Sequence, residues 1–185
     1  MDLEYMKYMS SGYDKNKILH LLMVQYGQDV WNFAFSLTRQ RNLADDIRQD
    51  VFVKVFDKLD TFRAQSSVKT WLFSITRNLA VDYRRSAFIR KVTLVDYIRD
   101  RGSRHSAENE YFEKRDLNEA WKAVLSLPIK LREVITLFAH HQLSIAEIAV
   151  TLQISESAVK VRLHRARKQV NEKYKGREDA FYGEK

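Results

Sequence analysis

Ser155, Ser157, Lys160, Val161, Arg162, His164, Arg165 and Lys168 carry the chemistry of a DNA reader: hydroxyls, imidazole and cations, with one small apolar contact among them. Such side chains reach base edges in a groove while Lys and Arg meet phosphates. At about 100° per residue, Ser157, Lys160, Val161, His164 and Lys168 share one side of a helix. Val159, Leu163, Ala166 and Val170 occupy the opposite side, an apolar back behind a basic front. The preceding segment supplies a partner helix, because Ile145, Ile148, Ala149 and Leu152 recur at i, i+3, i+4 and i+7. Ser144 is its expected N-cap, with Glu147 three residues on completing a capping box. Ser155 follows as a second N-cap, and the short turn between gives the spacing of a helix-turn-helix. Gln153 stands in that turn where glycine is common and where a left-handed backbone is expected.

Two further constellations lie upstream. Asp46, Asp50, Val53 and Asp57 form an acidic stripe at i, i+4, i+7 and i+11, while Leu43, Ile47, Val51, Val55 and Leu59 face the other way. Phe52 and Phe56 widen the apolar part around a third side. Carboxylates beside apolar anchors suit a protein-docking face for a basic partner; a solvated face over a larger core is the plainer alternative. Farther on, Trp71, Leu72, Ile75, Leu79 and Tyr83 read as inward, and Phe73, Arg77, Ala80, Val81 and Arg84 share the other side, with Arg85 near the end. Arginines beside an aromatic suit a nucleic-acid backbone with unstacked bases. The polar stretch Thr61 to Lys69, with Phe62 and Arg63, is a loop able to hold an extruded base.

Catalysis finds no such support. His140 and His141 near Glu133 and Glu147 invite a metal, yet adjacent histidines diverge on a helix and lack the i, i+4 spacing of a ligand pair. There is no glycine-rich phosphate loop and no identifiable Ser/His/Asp arrangement. No enzyme activity, cofactor or metal is expected.

These residues must be held by helices. The 185 residues include only five Gly and one Pro, with neither between Gly27 and Gly102, too few turn formers for sheets. Hydrophobic residues make up 45% of the chain, enough for real cores. The net charge of +8 favours an anionic partner, and the surplus sits toward both ends. Absence of cysteine fits a reducing compartment; no run of membrane-spanning length or signal-peptide pattern is seen, so a cytoplasmic location without membrane insertion is expected. The expected class is all-α, with two small helical domains and a flexible linker. Residues 1–13 are an extension. Residues 14–86 hold four helices: one from near Asp14 to Gly27, one from Gln28 to Thr38, one from Asn42 or Ala44 to about Leu59, and one from Lys69 to about Ser86. Residues 87–116 are rich in charge and lack a stripe, which makes them the linker. A second domain spans 117–175, where Pro128 can begin a helix leading into the helix-turn-helix, and 176–185 form a tail.

Together these blocks resemble the sigma-70 superfamily of bacterial transcription initiation factors, in its small extracytoplasmic-function (ECF) group. NLADDIRQDVFVKVFDKLDTF followed by TWLFSITRNLAVDYRRS looks like that family's region 2, and LPIKLREVITLFAHHQLSIAEIAVTLQISESAVKVRLHRARKQV is similar to region 4. The resemblance implies a promoter-specificity subunit that binds core RNA polymerase (β′ and β subunits) and promoter DNA, and is held inactive by an anti-sigma factor that can tether it to a membrane. Asp46, Gln49, Asp50, Phe52 and Val53 match the helix that docks on β′. Phe62, Arg63, Arg77, Asn78, Arg84 and Arg85, with Trp71 and Asp82, match the loop and helix that meet the −10 element. Ser155 to Lys168 match the −35 recognition helix. Asp50 replaces a more usual Glu, Gln153 a common Gly, and Ala139-His140-His141-Gln142 is polar where many members are acidic or aromatic. The alternative is a conventional helix-turn-helix regulator with a helical effector or dimerisation domain.

Overall fold

Asp14 starts the first helix by accepting the Asn16 backbone N–H at 2.9 Å, a cap that satisfies one of the free donors of the first turn. Helix α1 then runs without a break over Lys15–Thr38. The expected division at Gly27 is absent, because Ile18, Leu22, Tyr26, Val30, Phe33, Ala34 and Leu37 form one continuous buried stripe across it. Packing of that stripe outweighs the roughly 1 kcal/mol that a mid-helix glycine costs. Arg39 ends α1 in the left-handed region (φ 59°), and its N–H bonds to the Phe35 carbonyl. This computed structural model describes residues 14–62, 65–95 and 119–182. The extension 1–13, Arg63, residues 96–116 of the expected linker and the last three residues of the tail lie outside the described residues.

Helix α2 covers Arg41–Lys58 and ends in a 3-10 turn, Leu59–Thr61. Helix α3 covers Val68–Val95, nine residues beyond its expected end; the segment Ala87–Val95 contains neither Gly nor Pro to stop it. Ile47, Val51, Val55 and Leu59 of α2 meet α1 and the Leu72, Ile75 and Leu79 side of α3 in one core. The second domain has α4 (Glu119–Leu125), α5 (Ile129–Ile135), α6 (Ile145–Leu152) and α7 (Glu156–Tyr182). Pro128 stands just before α5, and α7 continues well into the expected tail. Helix α5 does not run on regularly. Thr136–His140 form a π turn, closed by the His141 N–H on the Thr136 carbonyl at 3.1 Å. No strand occurs among the described residues.

The helix-turn-helix forms as its spacing requires. Ser144 and Glu147 make the full capping box, and Ser155 caps α7 by accepting the Ala158 N–H at 3.2 Å. Gln153 closes α6 in the left-handed region (φ 54°, ψ 48°), the conformation in which glycine is favoured because it has no Cβ to crowd the carbonyl. Gln153→Gly is therefore expected to stabilise the protein by about 1 kcal/mol. Thermal melting should show this as a rise of roughly 2–4 °C, whereas Gln153→Val should lower the midpoint.

The two domains do not stand apart. Helix α3 packs along α6, and α1 meets α5 and the π turn. The main hydrophobic cluster runs from Ile18 through Phe33, Leu72 and Phe73 to Val134, Leu137, Ile148, Leu152 and Leu163. Phe73 and Ala80, expected on an outward side of α3, are each only 1% exposed because the second domain covers them.

Candidate nucleic-acid and polymerase interfaces

Helix α2 turns its apolar stripe inward, and this fixes what it can present. Asp46, Gln49 and Asp57 are exposed, and Val53 stands 55% exposed between them. Phe52 departs from the expected docking set: it is 4% exposed, inside the core, so it supports the face from behind. Asp50 is half-buried and accepts the Tyr83 hydroxyl at 2.8 Å, which ties α2 to α3. The exposed charge is therefore carried by Asp46 and Asp57, flanking an apolar valine.

On α3, Asn78, Asp82, Arg84 and Arg85 are exposed, and Trp71 lies half-buried against Phe62, with ring centroids 4.6 Å apart. Arg77 is turned toward the second domain, its Nε 3.8 Å from Glu133 Oε2. On α7, Ser155, Ser157, Lys160, Val161, His164, Arg165 and Lys168 are exposed, and Val159, Leu163 and Ala166 are buried. Arg162 is the exception in that set, because its Nη1 donates to Glu133 Oε1 at 3.1 Å. One carboxylate thus holds an arginine from each domain.

Glu133 was not separable in sequence from the other charges before the helix-turn-helix. It is 5% exposed. Burial pushes its carboxyl above the usual range, and Arg77, Arg162, Lys130 and Arg84 pull it back in part. Its neighbour Arg132 is also buried, donates to the Leu125 carbonyl at 2.6 Å, and so closes the C-terminal end of α4. Burial, then Arg39 and Arg84, lower Arg132 to about 10.

Two more contacts cross the seam. Glu147 completes its own helix cap with one oxygen, and its other oxygen accepts Ser67 Oγ at 3.1 Å and Thr70 Oγ1 at 3.3 Å from the start of α3. Burial alone would raise this carboxyl, but hydrogen bonds from Ser144, Ser67 and Thr70 outweigh it and hold it below its ordinary value. His141 follows the π turn and inserts between Phe33 and Phe73, with centroids 6.0 and 4.5 Å away. Its Nδ1 is 3.6 Å from Asp29 Oδ1, and Lys69 donates to its carbonyl at 3.0 Å while pairing with Asp29 at 3.3 Å.

Burial, then the neighbouring His140, depress His141 to about 3, with Lys69 adding to the effect and Asp29 opposing it. When the seam opens or the chain unfolds, the imidazole takes a proton at about 6.5. Below that pH the unfolded form binds more protons, so stability rises with pH across this window and is complete above it. Lowering the pH from 7.5 to 5.5 should cost about 1 kcal/mol through His141 alone. Glu133, raised by burial, acts in the opposite sense above the ordinary glutamate range. His141→Phe should therefore flatten the dependence of the melting midpoint on pH; an unchanged slope would contradict the assignment.

A helical bundle with an acidic face and an arginine-bearing helix, joined to a helix-turn-helix, defines a transcription initiation factor of the sigma type. The Sigma-70 region 2 family model matches residues 22–87, and the Sigma-70 region 4 model matches residues 117–170. The chain belongs to the sigma-70 family, in its ECF group. It is 33% identical over 153 residues to the ECF RNA polymerase sigma factor SigX of Bacillus subtilis (strain 168), covering 80% of this chain and 79% of that one. It is 32% identical over 148 residues to the RNA polymerase sigma factor YlaC of the same organism, covering 77% and 84%. Among solved structures, the sigma factor RpoE in complex with the anti-sigma factor NepR from Bartonella quintana superposes with TM-score 0.68 at 28% identity, covering 84% of this chain and 96% of that one. CnrH in complex with the cytosolic domain of CnrY gives TM-score 0.68 at 26% identity, with 95% and 97% covered.

Proposed function

We propose that this sigma factor engages core RNA polymerase through Asp46, Gln49, Asp50 and Val53 of α2, with Phe52 backing that face. The −10 element is met by α3 and the loop before it through Phe62, Arg63, Arg77, Asn78, Arg84 and Arg85. The −35 element is read by Ser155, Ser157, Lys160, Val161, Arg162, His164, Arg165 and Lys168 of α7. Polymerase supplies the chemistry, and the factor has none of its own. It acts in the cytoplasm, and an anti-sigma factor holds it inactive, a reading supported by its likeness to RpoE, which was solved in complex with the anti-sigma factor NepR. No helix among the described residues is long and apolar enough to cross a membrane.

The observation that carries this reading is the sharing of Glu133 by Arg77 and Arg162. One arginine from each of the two promoter-facing helices is held by the same acid while the domains touch. The −10 and −35 elements lie about 25 base pairs apart, roughly 85 Å of duplex, so the domains must part to reach both. Residues 96–118 could bridge at most about 80 Å if fully extended. Linkage then turns two modest contacts into one specific one.

Run-off transcription with core polymerase tests it. Asp46→Arg should weaken core binding at least tenfold without moving the melting midpoint, because it inverts charge at an exposed site. Lys160→Ala should leave core binding intact, weaken promoter binding by the holoenzyme on all sequences alike and reduce the salt slope by about one. Tight promoter binding by the free protein, with no initiation in the presence of polymerase, would overturn the reading.

A further inference from the structure

The seam between the domains holds an open cleft of about 160 Å³ with Glu133 in its wall. Arg77 and Arg84 reach it from α3, and Lys130, Glu133 and Arg162 from the second domain. Four cations therefore face one carboxylate. Glu133 is already shared between Arg77 and Arg162, while Arg84 and Lys130 have no ion pair among the described residues. The Nε of Arg77 is buried and lacks a hydrogen-bond partner, since 3.8 Å to Glu133 is too long for one. Arg132, just behind, is repelled by Arg39 and Arg84. The closed form thus carries unneutralised positive charge and at least one buried donor without an acceptor. Each is costly in a partly dry seam.

We propose that this cleft binds the phosphoryl group of a small anion, which bridges the two domains and favours the closed form. Guanidinium forks match phosphoryl oxygens bidentately, and Lys130 adds a point charge from the opposite wall. A dianion would supply acceptors for Arg77 Nε and Arg84 and offset the repulsion that Glu133 alone leaves. The cavity is small, which suits a free phosphate or pyrophosphate, or the terminal phosphates of a nucleotide whose remainder projects into solvent. A ligand that prefers the closed form lowers promoter capture by the same factor by which it is itself weakened when the domains part.

Titration calorimetry on the full chain, at constant ionic strength in chloride, would use inorganic phosphate, inorganic pyrophosphate and ADP as separate probes. Binding of one equivalent is expected, together with a smaller radius of gyration in X-ray scattering. Tighter binding of ADP than of pyrophosphate would assign a nucleotide; the reverse would assign a free anion. Arg84→Gln combined with Lys130→Gln, both at exposed positions, should weaken binding at least tenfold with an unchanged circular dichroism spectrum. No saturable binding by any of the three probes, equal binding by the double variant, or compaction reproduced by added chloride would overturn the proposal. The measurement needs no polymerase, so its failure would leave the sigma function untouched, just as failed transcription would leave the anion site untouched.

Discussion

Glu133→Ala is expected to open the molecule while leaving each domain folded. The carboxylate is nearly inaccessible and holds Arg77 and Arg162, whose side chains are 25% and 24% exposed. Removing one partner of a fully buried ion pair costs about 3–5 kcal/mol, because the remaining charge is left uncompensated. Water reaches these arginines in part, so about 2 kcal/mol is the expected loss here. The loss falls on the seam, because Arg77 belongs to one domain and Glu133 with Arg162 to the other. A change of this size shifts the ratio of closed to open forms by about thirtyfold. X-ray scattering should record an increased radius of gyration, and far-UV circular dichroism an unchanged helix content. Glu133→Gln keeps the shape and loses the charge, so it should fall between the two. An unaltered radius in Glu133→Ala would show that apolar contacts alone hold the seam.

Phe73→Ala should have the larger effect on stability. Its ring is almost wholly buried, and packs on Phe33 at a centroid distance of 5.3 Å and on His141 at 4.5 Å. Truncating a phenylalanine in such a site removes its transfer free energy and leaves a cavity, together about 3–5 kcal/mol. That is a large part of the 5–15 kcal/mol by which whole proteins are stable. Calorimetry should show the midpoint falling by roughly 10 °C. Because the ring belongs both to the first domain's core and to the seam, the loss should exceed that of Glu133→Ala. Phe73→Leu, which keeps most of the apolar volume, should lower the midpoint far less.

Much of this architecture was legible in the amino-acid order. The stripe Ile145–Leu152, the Ser144/Glu147 box and the basic front of α7 are local patterns, and each formed where its spacing put it. Gln153, where glycine is common, read as a mark against the turn, yet the turn forms with Gln153 itself in the left-handed region. The errors came from forces that act between distant segments. Gly27 reads as a helix end only until the buried residues on either side of it are known to share one core. Phe52 and Phe73 sit at the flanks of apolar stripes, where periodicity cannot say whether another element will cover them. The second domain covers Phe73, and nothing local in α3 encodes that arrival. Arg162 likewise shares the sequence signature of its basic neighbours, and only the position of Glu133 shows that it is held in the seam while the domains touch. A single acid beside Lys130 and Arg132 among the apolar residues of α5 was the available signal for Glu133, but a solvated position has the same appearance.

The hydrophobic cluster that runs unbroken across both domains has a consequence for how much of the protein is needed. If only a fraction of free molecules is open at any moment, the apparent dissociation constant for polymerase or promoter is the intrinsic one divided by that fraction. Every 1.4 kcal/mol by which the seam favours closure raises the required concentration about tenfold. If the domains must part to function, packing at Phe33, Phe73 and His141 in the seam therefore raises the copy number at which this factor begins to compete for polymerase.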